Sequence, residues 1–480
     1  ELGELLDAAR EPTLFGEPRG LTAAERSRLT ALRTAGRRAR EQLRALRRAG
    51  ELPWFHYPTH FADVFARGGF DLVVGNPPWV RAESLPVALR RYLVERFRWF
   101  RSGRTAARGY AHLPDLAVAF LERGLELAAP EGVVALLVPA KLATTGYAAA
   151  AREQLARRTT ISLAADLAAE PEARFDATVY PMALVLRRAP PPASHTLRIG
   201  LASDAPRLPQ RELDGAPWAL VPAPAREVLR RLARDFPPLA DGFACHLGVK
   251  TGLNRVFLDP PEAVEPELLR WAIRGRDVRP FRVRPVRRLL WPCEADGRPL
   301  AALPRHAARH LTAHAAELRR RADHQGGPCW RLFRTRPATA AYRVVWADVA
   351  RRLEAAPLWQ PEHRALIPLN TCYVLPAAGG ALALRLAAWL NSTWCRALAA
   401  VSADPAAGGF ARFNARAVGA LPCPAALPDD PGLLELARAG CAGRLAQEAL
   451  DDRCAELLGL AAGERAALAA LAGGRPAAGR

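Results

Sequence analysis

Between residues 51 and 188 the chain alternates short apolar runs with longer amphipathic stretches, and this alternation restricts the fold more than any other feature. Phe70–Val74 reads as a continuous apolar strand of the kind buried in parallel sheets. Residues 84–100 have helical character. Asp115 precedes LAVAFLERGLELAA, whose Leu116, Phe120, Leu121, Leu125 and Leu127 form one apolar side. Pro130-Glu131-Gly132 is placed to close that helix. GVVALLVPA (132–140) is a second buried strand, a helix follows near 147–158, and strands are expected at 161–166 and 178–186. Strand, helix, strand, helix predicts an α/β fold with a doubly wound, Rossmann-like sheet.

On either side the pattern changes. Residues 21–50 predict one helix, with Thr22 and Glu25 spaced as a capping box and Gly50 as its stop. Leu29, Leu32, Ala39, Leu43 and Leu46 fall along one seam, so residues 1–50 are expected to form a helical spacer. RRAPPPAS (187–194) is a proline linker and the clearest boundary. Residues 195–425 mix short strand-like pieces with Pro and Gly turns and much arginine, predicting a mixed α+β domain. Residues 426–480 predict a helical tail.

The net charge is +20, and all but two of the basic residues are arginines, the lysines being Lys141 and Lys250. A GC-rich genome exchanges Lys for Arg but does not create an excess of positive charge. A polyanionic partner is the stronger reading, because neutralising phosphates releases counterions. The eight cysteines form no C-x-x-C pair and the histidines offer no matching spacing, which argues against a metal site. Free thiols fit a reducing cytoplasm. No stretch of about 18 uncharged apolar residues is present, so no membrane span is expected. The chain begins with Glu1 and its only methionine is Met182, which predicts a portion of a longer protein.

The first strand ends in GNPPWV, residues 75–80. Adenine's exocyclic amine is a poor nucleophile because its lone pair is delocalised into the ring. The Asn76 side-chain oxygen and the Pro77 carbonyl suit the two N–H groups of such an amine, and accepting both localises the lone pair. Proline has a fixed φ and offers an acceptor without a competing donor, so Pro77 and Pro78 stiffen the turn. Trp79 adds a planar face for a base flipped from the duplex. The carboxyl end of a strand is also where α/β sheets place ligands. The plainer reading is a strand ending in a Pro-Pro turn, with Trp79 as packing.

FDLVVGNPPW closely resembles motif IV of amino-group DNA methyltransferases, mostly N6-adenine enzymes. WFHYPTHFADVFARGGF, just before it, resembles the lead-in found in large adenine-specific methylases of restriction-modification and phage defence. Residues 115–141 look like the next helix–strand unit of that family. RFDATVYPMALVL (174–186) resembles motif VIII, which implies that Phe175 packs against the flipped base. HLGVKTGLNRVFL (246–258), RGRDVRPF (274–281), LAAWLNSTW (386–394) and FARFNARAVGALPCP (410–424) resemble a TaqI-like C-terminal specificity domain. The resemblance covers roughly residues 51–425. It implies the C-terminal part of a catalytic domain at 51–190, a target-recognition domain at 195–425, S-adenosylmethionine as cofactor and double-stranded DNA as partner, with other restriction or defence subunits. It also implies Asn76, Pro77, Pro78 and Trp79 as catalytic residues and Phe120 as a cofactor contact, although Phe120 reads equally well as core.

One departure stands out. The family's cofactor loop precedes the Asn-Pro-Pro motif, yet residues 1–68 hold no D-x-F-x-G-x-G after an apolar strand. The isolated chain is therefore expected to be inactive. Lys250, Thr251 and Asn254 are candidate DNA contacts, with an ordinary polar loop as the alternative. Arg274, Arg276 and Arg279 are candidates to position DNA, and an internal ion pair with Asp277 competes for Arg276. Phe410, Arg412 and Phe413 follow a Gly-Gly pair that can aim a side chain into a groove, though the aromatics read as core. Lys141 either faces the cleft or is a solvated strand end. The Glu-x-Lys element of metal-dependent nucleases is absent. Rival readings are an RNA or protein-glutamine methyltransferase sharing the motif, and a DNA-binding specificity fragment without activity.

Overall fold

A computed structural model describes residues 2–10, 12, 18–49, 55–102, 114–167, 181–406 and 409–472. The chain forms two compact units, Glu1–Phe70 and Asp71–Arg480.

In the first unit, helices Leu2–Arg10 and Ala23–Ala49 lie together. The longer one starts with the expected capping box: the Thr22 amide donates to Glu25 Oε2 at 2.8 Å, and the Glu25 amide donates to Thr22 Oγ1 at 3.3 Å. Leu29 is buried on the seam while Arg26, Arg28 and Arg33 are exposed. Before the first strand, Phe61 and Phe65 meet Phe70 edge to face, with centroids 5.2 and 5.7 Å apart.

The second unit is built on a six-stranded sheet. Its strands are β1 (Phe70–Gly75), β2 (Ala128–Pro139), β3 (Thr160–Asp166), β4 (Pro181–Arg187), β5 (Thr196–Arg198) and β6 (Arg207–Pro209). Their order is β1-β2-β4-β3-β5-β6. Helices Leu116–Leu127 and Ala149–Arg158 pack against the sheet through Val118, Leu121 and Leu155, which meet Val134, Ile161 and Leu184. Asp115 caps the first of these helices, its carboxylate accepting from the Ala117 amide at 3.1 Å.

Four expectations are corrected. The sheet is mixed, because β4 runs antiparallel to both β2 and β3, while β3 and β5 are parallel. A strand buried on both faces reads as one apolar run in either direction, so the residues do not encode its sense. β1 is not buried: it is the edge strand, and Leu72 and Val74 are 58% and 69% exposed. β2 starts at Ala128, so Pro130–Gly132 lies inside the strand, with Glu131 at φ 64°. The sheet also continues past the proline linker, since β5 and β6 lie beyond it.

Further along, strands Tyr342–Ala347, Ala355–Leu358, Cys372–Ala377 and His246–Leu247 form an antiparallel sheet backed by helix Gly380–Asn391. Trp346 and Trp389 are fully buried there. Asn391 makes both amide hydrogen bonds to the Ala355 backbone, at 3.0 and 2.7 Å, fixing helix to sheet. The C-terminal helices join this core: Leu450, Leu458 and Leu468 are buried in it, and Glu464 pairs with Arg231 at 2.7 Å. All eight cysteines are free thiols. Among the described residues, no helix is long and apolar enough to cross a membrane.

Candidate active site

β1 delivers the chain to Asn76, which is exposed, whereas Pro77 is buried and Trp79 half-buried. Hydrogen bonds hold the turn. Trp79 Nε1 donates to the Leu137 carbonyl of β2 at 3.2 Å, and the Leu116 amide donates to the Val80 carbonyl at 2.9 Å. The turn is thereby tied to the neighbouring strand and to the start of helix Leu116–Leu127. Its acceptor side chain stays at the surface.

Charged groups surround it. Burial pushes the Asp115 carboxyl up, against the Ala117 amide and the charges of Lys141 and Arg81. Lys141 is half-buried beyond the end of β2, and its ammonium is pushed down, first by burial and then by Arg81 and Arg412, against Asp115 and Asp404. Lys141 is therefore no solvated strand end: it lies in the field of groups from both ends of the second unit. Asp404 makes this junction. It accepts from Thr144 Oγ1 at 2.8 Å, Asn414 Nδ2 at 3.1 Å and Arg416 Nη2 at 3.0 Å. Sequence reasoning missed Asp404 and Arg81, and nothing local marks either.

Beside this junction an apolar cleft of about 320 Å³ is lined by Ala140, Met182, Trp218, Arg351 and Ala411, with Thr144 and Asp166. Arg152 ties together the backbone on either side of Thr144. This buried guanidinium donates to the Leu142, Thr145, Gly215 and Ala216 carbonyls at 2.7–3.2 Å, and burial lowers its pKa to about 10.

The other candidates are distributed differently. Phe175 lies outside the described residues. Lys250 pairs with Asp323, and its backbone bridges Phe333 in both directions at 3.0 Å. Thr251 is buried and donates to Asn254 Oδ1 at 2.6 Å, while Arg321 holds the Thr251 carbonyl. That loop is thus largely satisfied from within. Arg274, not Arg276, pairs with Asp277, at 3.3 Å. Arg276 is exposed and lines a cleft with Arg412. Phe413 is core, as expected, whereas Phe120 is not: it is 43% exposed between the buried Ala119 and Leu121.

Residues 34–171 match the Eco57I restriction-modification methylase family. That segment carries the Asn-Pro-Pro-Trp turn, Asp115 and Lys141. The chain is 28% identical over 223 residues to the type II methyltransferase M.PaeR7I of Pseudomonas aeruginosa, an alignment covering 42% of this chain and 37% of that protein. With the type II methyltransferase M.XhoI of Xanthomonas vasicola it shares 27% over 383 residues, covering 72% and 67%. The chain thus spans well under half of the first relative and about two thirds of the second. In three dimensions it is similar to the type IIL restriction-modification enzyme MmeI, solved in complex with DNA. The TM-score is 0.55 at 13% identity, over 84% of this chain and 56% of that one, a likeness of fold.

The match of residues 34–171 to a methylase family implies a methyl donor, which the described residues of that segment would have to hold. They do not make a complete S-adenosylmethionine site. No strand precedes β1 among the described residues, and the chain has no D-x-F-x-G-x-G loop after an apolar strand. The exposed Phe120 ring is the one predicted contact left available.

Proposed function

We propose that this chain carries the amine-binding turn and the DNA-reading part of a sequence-specific N6-adenine DNA methyltransferase. S-adenosylmethionine would be its methyl donor, and host DNA in the cytoplasm its substrate. The observation that carries this reading is the Asn76–Trp79 turn: its acceptor is exposed while its aromatic is pinned to β2. Asn76 Oδ1 and the Pro77 carbonyl accept the two N–H bonds of adenine N6. That localises the lone pair and favours the tetrahedral geometry the nitrogen reaches in the transition state. Trp79, with Phe175, holds the flipped ring. The chain's own contribution lies on the acceptor side of the reaction.

The charge of +20 and the likeness of fold to an enzyme solved with DNA support duplex DNA over RNA or protein as substrate. The missing cofactor loop favours a second reading, a DNA-binding specificity fragment that methylates nothing by itself.

The test incubates the complete protein with duplex DNA and methyl-labelled S-adenosylmethionine, then digests the DNA to nucleosides. Label on N6-methyladenine, lost in Asn76→Ala, is the expected result. Label confined to RNA or protein, or undiminished transfer by Asn76→Ala, overturns it. Sequence-selective binding without any transfer favours the second reading.

A further inference from the structure

Away from the Asn76 turn, a cleft of about 520 Å³ is lined by Arg276, Asn370, Thr371, Arg412 and Asp348. Asp348 is 9% exposed and lies between strands Tyr342–Ala347 and Val349–Ala350. Its backbone is fixed on both sides: its amide donates to the Thr371 carbonyl at 2.9 Å, and its carbonyl accepts from the Phe413 amide at 2.7 Å. One carboxylate oxygen, Oδ2, meets Arg412 Nη2 at 3.3 Å. The other, Oδ1, has no hydrogen-bond partner.

A buried carboxylate oxygen without a donor costs free energy, and such groups are normally paired. Two neighbours within the cleft are engaged elsewhere. Arg274 is occupied by Asp277, and the Thr371 hydroxyl accepts from the Gly275 amide at 3.1 Å. Gly275 has no room for a side chain, since a Cβ there would lie 2.9 Å from the Thr371 carbonyl. The cleft floor is therefore tightly packed, and the side chain of Asp348, which lines it, pairs with Arg412 alone among the described residues. Arg412, half-exposed beside it, presents guanidinium N–H groups to the same space.

In the major groove, cytosine offers a lone N4 amine donor, and its guanine partner offers two acceptors, O6 and N7. A carboxylate acceptor next to a guanidinium donor is the complement of that pair. Adenine pairs poorly with a carboxylate, because its N7 acceptor would face a negative oxygen. Arg412 acts electrostatically on both Lys141 and Asp348, which links the cleft to the junction around Lys141. We propose that Asp348 and Arg412 read one C·G base pair of the recognition sequence. The Asp348 carboxylate accepts from cytosine N4, and Arg412 donates to guanine O6 and N7. Neither residue is part of the Asn76–Trp79 turn. The assignment rests on the DNA-methyltransferase reading and adds a specificity position to it.

The experiment selects bound duplexes from a randomised DNA library with the full chain and sequences them, for wild type, Asp348→Asn and Arg412→Gln. The wild-type consensus is expected to contain a C·G pair preferred about tenfold or more over the other three pairs. In Asp348→Asn that single position relaxes or turns to adenine, because an amide both donates and accepts, while the other positions persist. Arg412→Gln, at a half-exposed site that tolerates substitution, relaxes the same position, so the proposal stays testable if Asp348→Asn does not fold. A consensus unchanged in either folded variant, or one without a strict C·G pair, overturns the proposal. A wild-type chain that selects no sequence refutes the DNA-reading function itself, before either variant is considered.

Discussion

Trp79 donates its indole N–H to the Leu137 carbonyl across 58 residues of sequence, joining the Asn-Pro-Pro turn to the neighbouring strand. The hydrogen bond orients the ring that is proposed to receive the flipped base. Trp79→Phe keeps an aromatic face and removes the donor, so stability is expected to fall by about 1 kcal/mol. Trp79→Ala also removes the stacking face, which is worth about 1–3 kcal/mol per base. Urea unfolding reads the first effect. The fluorescence of 2-aminopurine at the target adenine reads the second, with the alanine variant losing the flipped-base signal and the phenylalanine variant keeping it.

Asn76 is exposed at the end of an edge strand. Asn76→Ala is expected to change stability by no more than about 0.5 kcal/mol. Transfer to adenine by the complete protein is expected to fall by about a hundredfold or more, the usual cost of deleting one transition-state hydrogen bond. Single-turnover methylation together with thermal unfolding separates the two effects. A variant that melted early and lost activity in proportion would assign Asn76 a structural role.

Arg152 binds four backbone carbonyls and is 1% exposed. Two of them, Leu142 and Thr145, flank Thr144, which holds Asp404. Arg152→Met fills similar space but strands the carbonyls, and is expected to cost about 3 kcal/mol. Denaturant unfolding measures that loss. Proteolytic cleavage near residues 142–145 and 214–216 is expected to accelerate in the same variant.

Asp430 caps helix Pro431–Cys441, accepting from the Leu433 amide at 2.7 Å, and it also pairs with Arg453. The Arg453 hydrogen bond, with the Leu433 amide, holds its carboxyl below the free value of 3.8. A depressed folded pKa means that the contribution is complete above about pH 4 and disappears as pH falls through the folded value. Asp430→Asn is therefore expected to cost about 2 kcal/mol at pH 7 and progressively less toward pH 2. Melting temperatures of both proteins across that range provide the check.

The sequence by itself determined the features that neighbouring residues decide. The Thr22–Glu25 box and the Asp115 cap form within three residues of themselves, and the proline turn after β1 has a geometry set by its own φ angles. The Asn76–Trp79 turn was legible for the same reason, and its amine-binding role remains the proposal made above. Strand positions were legible too, because burying two faces demands an apolar run wherever the strand finally pairs. That same demand hid the direction of β4, and a run that reads as buried in β1 turned out to be a half-exposed edge. Tertiary structure alone decided which distant charges meet. Thr144 finds Asp404 across 260 residues, and Asp348 finds Arg412 only because the strands carrying Val349 and Arg412 pair. Lys250 and Arg276 looked alike as candidate DNA contacts. Packing then closed an ion pair on Lys250 and left Arg276 at the rim of an open cleft. A charge's role depends on what burial places beside it, and burial is a property of the whole fold.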